Sequence, residues 1–201
     1  MATQWAKHEA KTNELAALVD RLLLWLKVHQ QTAIWTGLGI VAALAVGGLS
    51  INRYLANRDA AWAKLAIAQS YAYSGQPASA VEQLKTLAEE SPSSPASGYG
   101  LLLAGDIFFQ QDKFKEAEES YQKALDSSSA KDLPPIAHAG LALSQEGEGD
   151  CTRAAETGNR FLESYQDHFL APQVHASLAR CFLAMGQPDK AKSAYERMAF
   201  L

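Results

Sequence analysis

Alanine stands at four positions of this 201-residue chain, Ala80, Ala117, Ala154 and Ala191, each 37 residues from the next. A fixed period of that size restricts the fold to a repeat architecture, because no single unit can bury its apolar face and neighbours must stack. The flanking grammar repeats too. A helix-length run ends in a turn, Ser74-Gly75-Gln76-Pro77, Gln111-Asp112-Lys113-Phe114, Glu148-Gly149-Asp150-Cys151 or Met185-Gly186-Gln187-Pro188. A second helix then begins and carries the alanine in its first turn. In three copies a ring precedes the alanine by nine residues (Tyr71, Phe108, Phe182), and Leu84, Tyr121 or Tyr195 follows it by four. Nothing reads as a strand. The expected class is all-α, a single apolar helix followed by an α-solenoid of about four helix-turn-helix repeats.

The pattern resembles the tetratricopeptide repeat, with a small residue at the closest helix crossing, aromatics at two fixed offsets and a proline closing the unit. The first copy keeps Tyr71, Gly75, Ala80, Leu84 and Pro92. The second keeps Gly105, Phe108, Phe114, Ala117, Tyr121, Ala124 and Leu125, and the fourth keeps Leu178, Phe182, Gly186, Ala191 and Tyr195. The third is degenerate, with Gln145 in the ring position and Gly158 where the second aromatic belongs. The resemblance covers residues 59–201. Pro77 and Pro188 fit first helical positions, where no hydrogen bond is lost, and Asp150 fits a helix cap. The stretches from Ser91 to Pro95 and from Ser127 to Pro135 are expected to be loops between repeats.

Such an array implies a concave surface made by the first helix of each pair. Counting from the alanines, the residues expected there are Trp62, Leu65, Gln69, Tyr99, Leu102, Asp106, Phe109, Leu143, Gln173 and Arg180, each of which also suits a core position. The set is apolar and aromatic rather than basic. It differs from the lysine- and arginine-lined clamp with which cytosolic co-chaperone repeats hold a C-terminal carboxylate.

The N-terminal part is of another kind. Residues 1–31 form a polar, helix-permissive lead-in in which Leu15, Leu18, Leu22 and Trp25 share a face. Between Lys27 and Arg53 there is no Asp, Glu, Lys or Arg. Thr32 to Ile51 would span about 30 Å as a helix, the hydrocarbon thickness of a bilayer. Residues 32–52 are therefore expected to be a single-pass transmembrane anchor, flanked by Trp35 and Tyr54. It starts too far into the chain, and runs too long, for a cleavable signal peptide. Gly39, Ala43 and Gly47 share one face, where two helix backbones could meet and pair two copies in the membrane. Ile51 to Ser74 lacks proline and glycine, so the anchor is expected to run into the first repeat helix with little or no break. Flanking charge is nearly balanced, Arg21 and Lys27 against Arg53 and Arg58. Lys7 and Lys11 tip the N-terminus toward the cytoplasm and the repeats toward the outside.

Charge and motifs narrow the chemistry. Residues 1–58 carry six Lys/Arg and three Asp/Glu, and residues 59–201 carry twelve and nineteen, net +3 and −7. An acidic domain lacks the footprint that nucleic acid requires. No phosphate loop, His-Glu-x-x-His or Gly-x-Ser-x-Gly motif is present, so neither enzyme activity, cofactor nor metal is expected. Cys151 and Cys181 open one helix and lie late in the next. If those helices run antiparallel the two are neighbours, able to form a disulfide outside the cytoplasm or to serve as small buried hydrophobes.

The layout of short lead-in, one anchor near residue 40 and a repeat domain resembles the bacterial family of ancillary Sec translocon subunits. That resemblance implies an inner-membrane protein with periplasmic repeats that contacts the protein-export channel, its client peptides or chaperones. The alternative is an assembly scaffold of an envelope or membrane-organelle complex. The apolar end, Met198, Ala199, Phe200 and Leu201, is expected to continue into a longer protein or to pack on another copy or a partner.

Overall fold

The structure, a computed structural model, describes residues 17–22, 24–25, 27–127, 130 and 132–199. Leu15, Phe200 and Leu201 lie outside them. The described elements are α1 (Gln30–Tyr73), α2 (Pro77–Glu90), α3 (Pro95–Gln110), α4 (Phe114–Asp126), α5 (Leu133–Gly147), α6 (Cys151–Tyr165), α7 (Ala171–Ala184) and α8 (Pro188–Ala199). No strand occurs among the described residues. The chain is all-α, and it divides into two compact units, Met1–Leu55 and Ala56–Leu201.

In the first unit, Leu18, Leu22 and Trp25 are exposed, and so are Ile34, Trp35, Leu38, Val41 and Leu44 on α1. The most apolar 18-residue window of α1 has a mean hydropathy of 1.9, and none of it is buried. By length and composition this helix can cross a membrane. Its bounds, Gln30 and Tyr73, take in both the apolar stretch and the first helix of repeat 1.

In the second unit the period reappears in the backbone. Gly75, Asp112, Gly149 and Gly186, again 37 apart, are the residues with positive φ among those described, at 72°, 57°, 83° and 70°. Each ends a first helix in the same way. The next residue's N–H reaches back to the carbonyl at the ring position: Gln76 to Tyr71 at 2.9 Å, Lys113 to Phe108 at 3.0 Å, Asp150 to Gln145 at 2.9 Å and Gln187 to Phe182 at 2.8 Å. This is the Schellman closure, whose left-handed residue is glycine in three copies and aspartate in one. The second helix then starts, and the repeated alanine donates its N–H to the turn, as Ala117 does to Lys113 at 3.0 Å.

Side chains complete the stack. Ala80, Ala117 and Ala191 are fully buried and Ala154 is 2% exposed, which lets helices cross closely. Each second helix packs on the first helix of the next pair, α2 on α3, α4 on α5 and α6 on α7. First helices also touch one another, α3 with α5 and α5 with α7, whereas no two second helices do among the described residues. The first-helix side is therefore the inner side of the array. One loop boundary differs from expectation. Pro134 and Pro135 belong to the first turn of α5, which starts at Leu133. The first turn has no intrahelical acceptors for its N–H groups, so proline loses nothing there. Pro95 likewise opens α3, behind Ser94, whose side chain accepts from the Ala96 N–H at 3.3 Å.

Candidate functional site

The inner face is built by residues spaced three, four or seven apart along α1, α3, α5 and α7. Trp62 and Gln69 are exposed on α1, and Trp62 lies against half-buried Tyr99 of α3, with ring centroids 5.7 Å apart. Phe109 is half-buried at the far end of α3, edge-on to Phe114 at 5.4 Å. Leu143 is half-buried on α5, and Gln173 and Arg180 are exposed on α7. Two of the expected residues belong elsewhere. Leu65 (3% exposed) joins the core under α1 to α3, and Leu102 (5%) joins the core around Tyr121. On each helix the inner stripe and the core stripe are one residue step apart, so counting from an alanine resolves them poorly. Two further residues extend the face. Tyr73 is 91% exposed and Leu183 is 53% exposed, continuing the Gln69 and Arg180 lines by one helical turn.

The ionic groups of this face are already partnered. Asp106 accepts the Tyr121 hydroxyl at 2.6 Å. Desolvation holds the Asp106 carboxyl above its usual value and raises Tyr121, which also faces the aspartate charge. Arg180 pairs with Glu146 of α5, its Nη2 donating at 2.8 Å, and the bond raises the guanidinium. Apart from Asp106, what remains open is apolar or amide: an inner face suited to a partly apolar segment rather than to a free carboxylate.

Repeat 3 carries a polar arrangement where its neighbours carry a ring. Gln145 is 5% exposed and donates from Nε2 to Glu118 of α4 at 3.1 Å. Arg153 of α6 reaches the same Glu118, Glu148 at 3.2 Å and Asp150 at 2.7 Å. Asp150 also caps α6, accepting the Arg153 N–H at 3.1 Å, and the bonds to Arg153 hold its carboxyl below the usual range. Desolvation and the nearby Glu118 hold Glu148 above it.

On α1, a Cβ built on Gly39 or Gly47 would meet nothing within 4 Å, and Ala43 is exposed, so no described residue packs on that face. Cys151 and Cys181 are both free thiols. They sit at the facing ends of α6 and α7; burial, with Cys151 close by, pushes the Cys181 thiol up to about 12. No group of three or more His, Cys, Asp or Glu able to hold a metal occurs among the described residues. A separate cleft of about 310 Å³ lies between α6, α7 and α8, with Leu178 and Phe182 in its wall.

Compared with known families, the chain matches the tetratricopeptide repeat over residues 65–132 and 102–169, and again over residues 177–199. The chain belongs to the tetratricopeptide repeat family. Solved structures agree on the fold. A crystal structure of MamA superposes with a TM-score of 0.60 at 18% identity, covering 69% of this chain and 76% of that one. A second MamA structure gives 0.59 at 19% identity over 73% of this chain and 74% of that one. BtubC (BKLC) from P. vanneervenii gives 0.61 at 21% identity over 69% and 61%. No curated protein matches the sequence. At such identities the likeness is one of fold. The tetratricopeptide repeat domain of this chain is in general terms a protein-interaction scaffold.

Proposed function

We propose that this chain is a non-enzymatic, membrane-anchored docking protein whose inner repeat face receives a partly apolar segment of a partner protein. The observation that carries the reading is the inner face itself. Trp62, Gln69, Tyr73, Gln173 and Leu183 stand open to solvent, while Arg180 is paired with Glu146 and Asp106 accepts a hydrogen bond from Tyr121. Burying the apolar part of such a face is favourable at roughly 25 cal/mol per Å², and the Arg180–Glu146 pair spares a partner from having to match that cation. The apolar part of α1 supplies the anchor, with the N-terminus in the cytoplasm and the repeats in the periplasm of a bacterial inner membrane.

Two partner classes fit this layout. The order of lead-in, anchor and repeats supports an ancillary subunit of the protein-export translocon that contacts client chains or chaperones. The self-contained repeat stack supports an assembly scaffold of an envelope or membrane-organelle complex equally well. Co-purification from solubilised membranes separates them, since export-channel subunits mark the first and a dedicated envelope complex the second. In either case the double variant Trp62→Ala, Tyr73→Ala should lose the partner with little change in thermal unfolding. Undiminished capture by that variant sinks the inner-face reading. A reporter active only outside the cytoplasm should work after Leu201 and fail before Trp5; the reverse pattern places the repeats in the cytosol.

A further inference from the structure

We propose that Cys151 and Cys181 form an intramolecular disulfide that staples α6 to α7 and so ties the third repeat to the fourth. Cys151 is the first residue of α6, and Cys181 lies three residues before the end of α7. The helices are packed antiparallel neighbours, so the start of one meets the end of the other. Their approach is close. A Cβ on Gly158 would come within 3.1 Å of Leu178 Cδ2, and near the other end of the same helix pair Cys151 is close enough to Cys181 to act on its thiol. Two cysteines at the facing ends of helices so closely packed are placed for a bridge, which needs Cα atoms within about 7 Å. The chain has two cysteines in all, so no competing pairing exists within it.

The thiols are chemically unequal. Cys181 is fully buried and its thiolate is strongly disfavoured, whereas Cys151 is partly exposed. A disulfide-bearing oxidant is therefore attacked by the Cys151 thiolate once its proton has gone to solvent. One oxidant sulfur leaves as a thiolate and a mixed disulfide remains. Cys181 then gives up its proton, attacks the Cys151 sulfur and displaces the second oxidant thiol. Two protein thiols and one disulfide become one protein disulfide and two thiols. The second step is slow once Cys181 is sealed from solvent, so the bond closes as α7 seats against α6. The compartment where this happens follows from the proposed extracytoplasmic placement of the repeats; the ability of the pair to bridge does not.

Two arms keep these apart. The full chain, reduced and unfolded, is refolded in detergent with oxidised and reduced glutathione, and its thiols are counted by maleimide labelling in denaturant. The expected result is no free thiol, a faster-migrating band on a non-reducing gel, and unfolding roughly 5–10 °C above that of the reduced chain. Cys151→Ser and Cys181→Ser should each leave one free thiol and unfold at the reduced temperature. A refolded, fully helical chain that keeps both thiols under excess oxidised glutathione overturns the bridge. The second arm labels wild-type protein directly in lysed membranes. Blocked thiols that appear only after reductant support the bridge in its compartment. Free thiols there, in a chain that bridges on refolding, overturn the extracytoplasmic placement and leave the bridge standing.

Discussion

Repeats 2 and 3 solve the same packing problem with opposite distributions of bulk. In repeat 2 the Tyr121 ring is sandwiched between two glycines of neighbouring first helices. A Cβ added at Gly105 would lie 2.6 Å from that ring, and one at Gly140 2.5 Å from it. The ring is 3% exposed, and its hydroxyl emerges on the inner face to meet Asp106. Repeat 3 has glycine at the corresponding place, Gly158, and the space is taken from the other side by Leu178 and Val174, 3.1 and 3.3 Å from where its Cβ would be. The missing ring reappears three residues on as Phe161, fully buried against Tyr165 at 5.5 Å. Gln145, standing in for the other ring, trades apolar packing for the Glu118 and Arg153 network. Repeat 3 is thus repacked rather than loosened. What the array conserves from copy to copy is summed volume and a closed turn, not the identity of the ring.

The comparison can be broken most sharply at the glycines. Gly140→Ala places a methyl inside a rigid, sandwiched ring and should cost about 3 kcal/mol. Gly158→Ala meets Leu178 at 3.1 Å and Val174 at 3.3 Å, contacts that a shift of a few tenths of an ångström relieves, and recovers about 0.5–1 kcal/mol of helix propensity, so its net effect should be near zero. Thermal unfolding of the two variants decides it. A Gly158→Ala loss as large as that of Gly140→Ala would mean that repeat 3 has no give.

Next come the alanines. Degeneracy in the sequence leads one to expect Ala154→Leu to be milder than Ala117→Leu. With Ala154 2% exposed and the space beside Gly158 already filled, both should now cost about 1–3 kcal/mol. A clearly smaller loss for Ala154→Leu in chemical denaturation restores the looser picture of repeat 3.

A third effect depends on pH and separates the C-terminal half from repeat 2. Burial, aided by Arg160 and Arg197 respectively, holds His138 and His175 below their ordinary value, and neither Nδ1 has a hydrogen-bond partner. Their folded pKa lies below the unfolded one, so the unfolded chain takes up protons first. Stability is present at neutral pH and falls as pH drops through and below about 6.5. Hydrogen exchange at pH 7 and pH 5 should show α5 and α7 losing protection before α3. His138→Gln with His175→Gln should flatten the difference.

The smallest effect is in the turns. Asp112 occupies the left-handed conformation that the other three copies give to glycine. Asp112→Gly should stabilise by up to about 1 kcal/mol, and Gly149→Ala should destabilise by a similar amount. An unchanged unfolding midpoint in both would mean that the left-handed turn contributes little to the stack.

Much of this was legible from local pattern. The 37-residue period, the alanines at the crossings, the turn at each unit's middle and the Asp150 cap depend on one residue and its near neighbours, and all appear where the spacing placed them. The face assignment was less legible. Trp62, Gln69 and Arg180 lie on open surface, but Leu65 and Leu102 turn inward, since a helix one side chain wide gives core and groove stripes that differ by about 100°. Tyr73 and Leu183 were within reach of the same count, had it been carried one turn further.

By itself the sequence determined the class, the number of repeats, the apolar segment and the turn inside each repeat, because propensity, turn chemistry and periodicity act over a few residues. Only the tertiary structure decided which ring fills which gap. Tyr121 needs glycines 16 residues before it and 19 after it, and Phe161 replaces a ring that local alignment expected three residues earlier. Volume is balanced across helices that are distant in sequence, so a rule that reads one copy at a time mistakes compensation for decay. The adjacency of Cys151 and Cys181, 30 residues apart, is of the same kind: it exists only once α6 and α7 have docked.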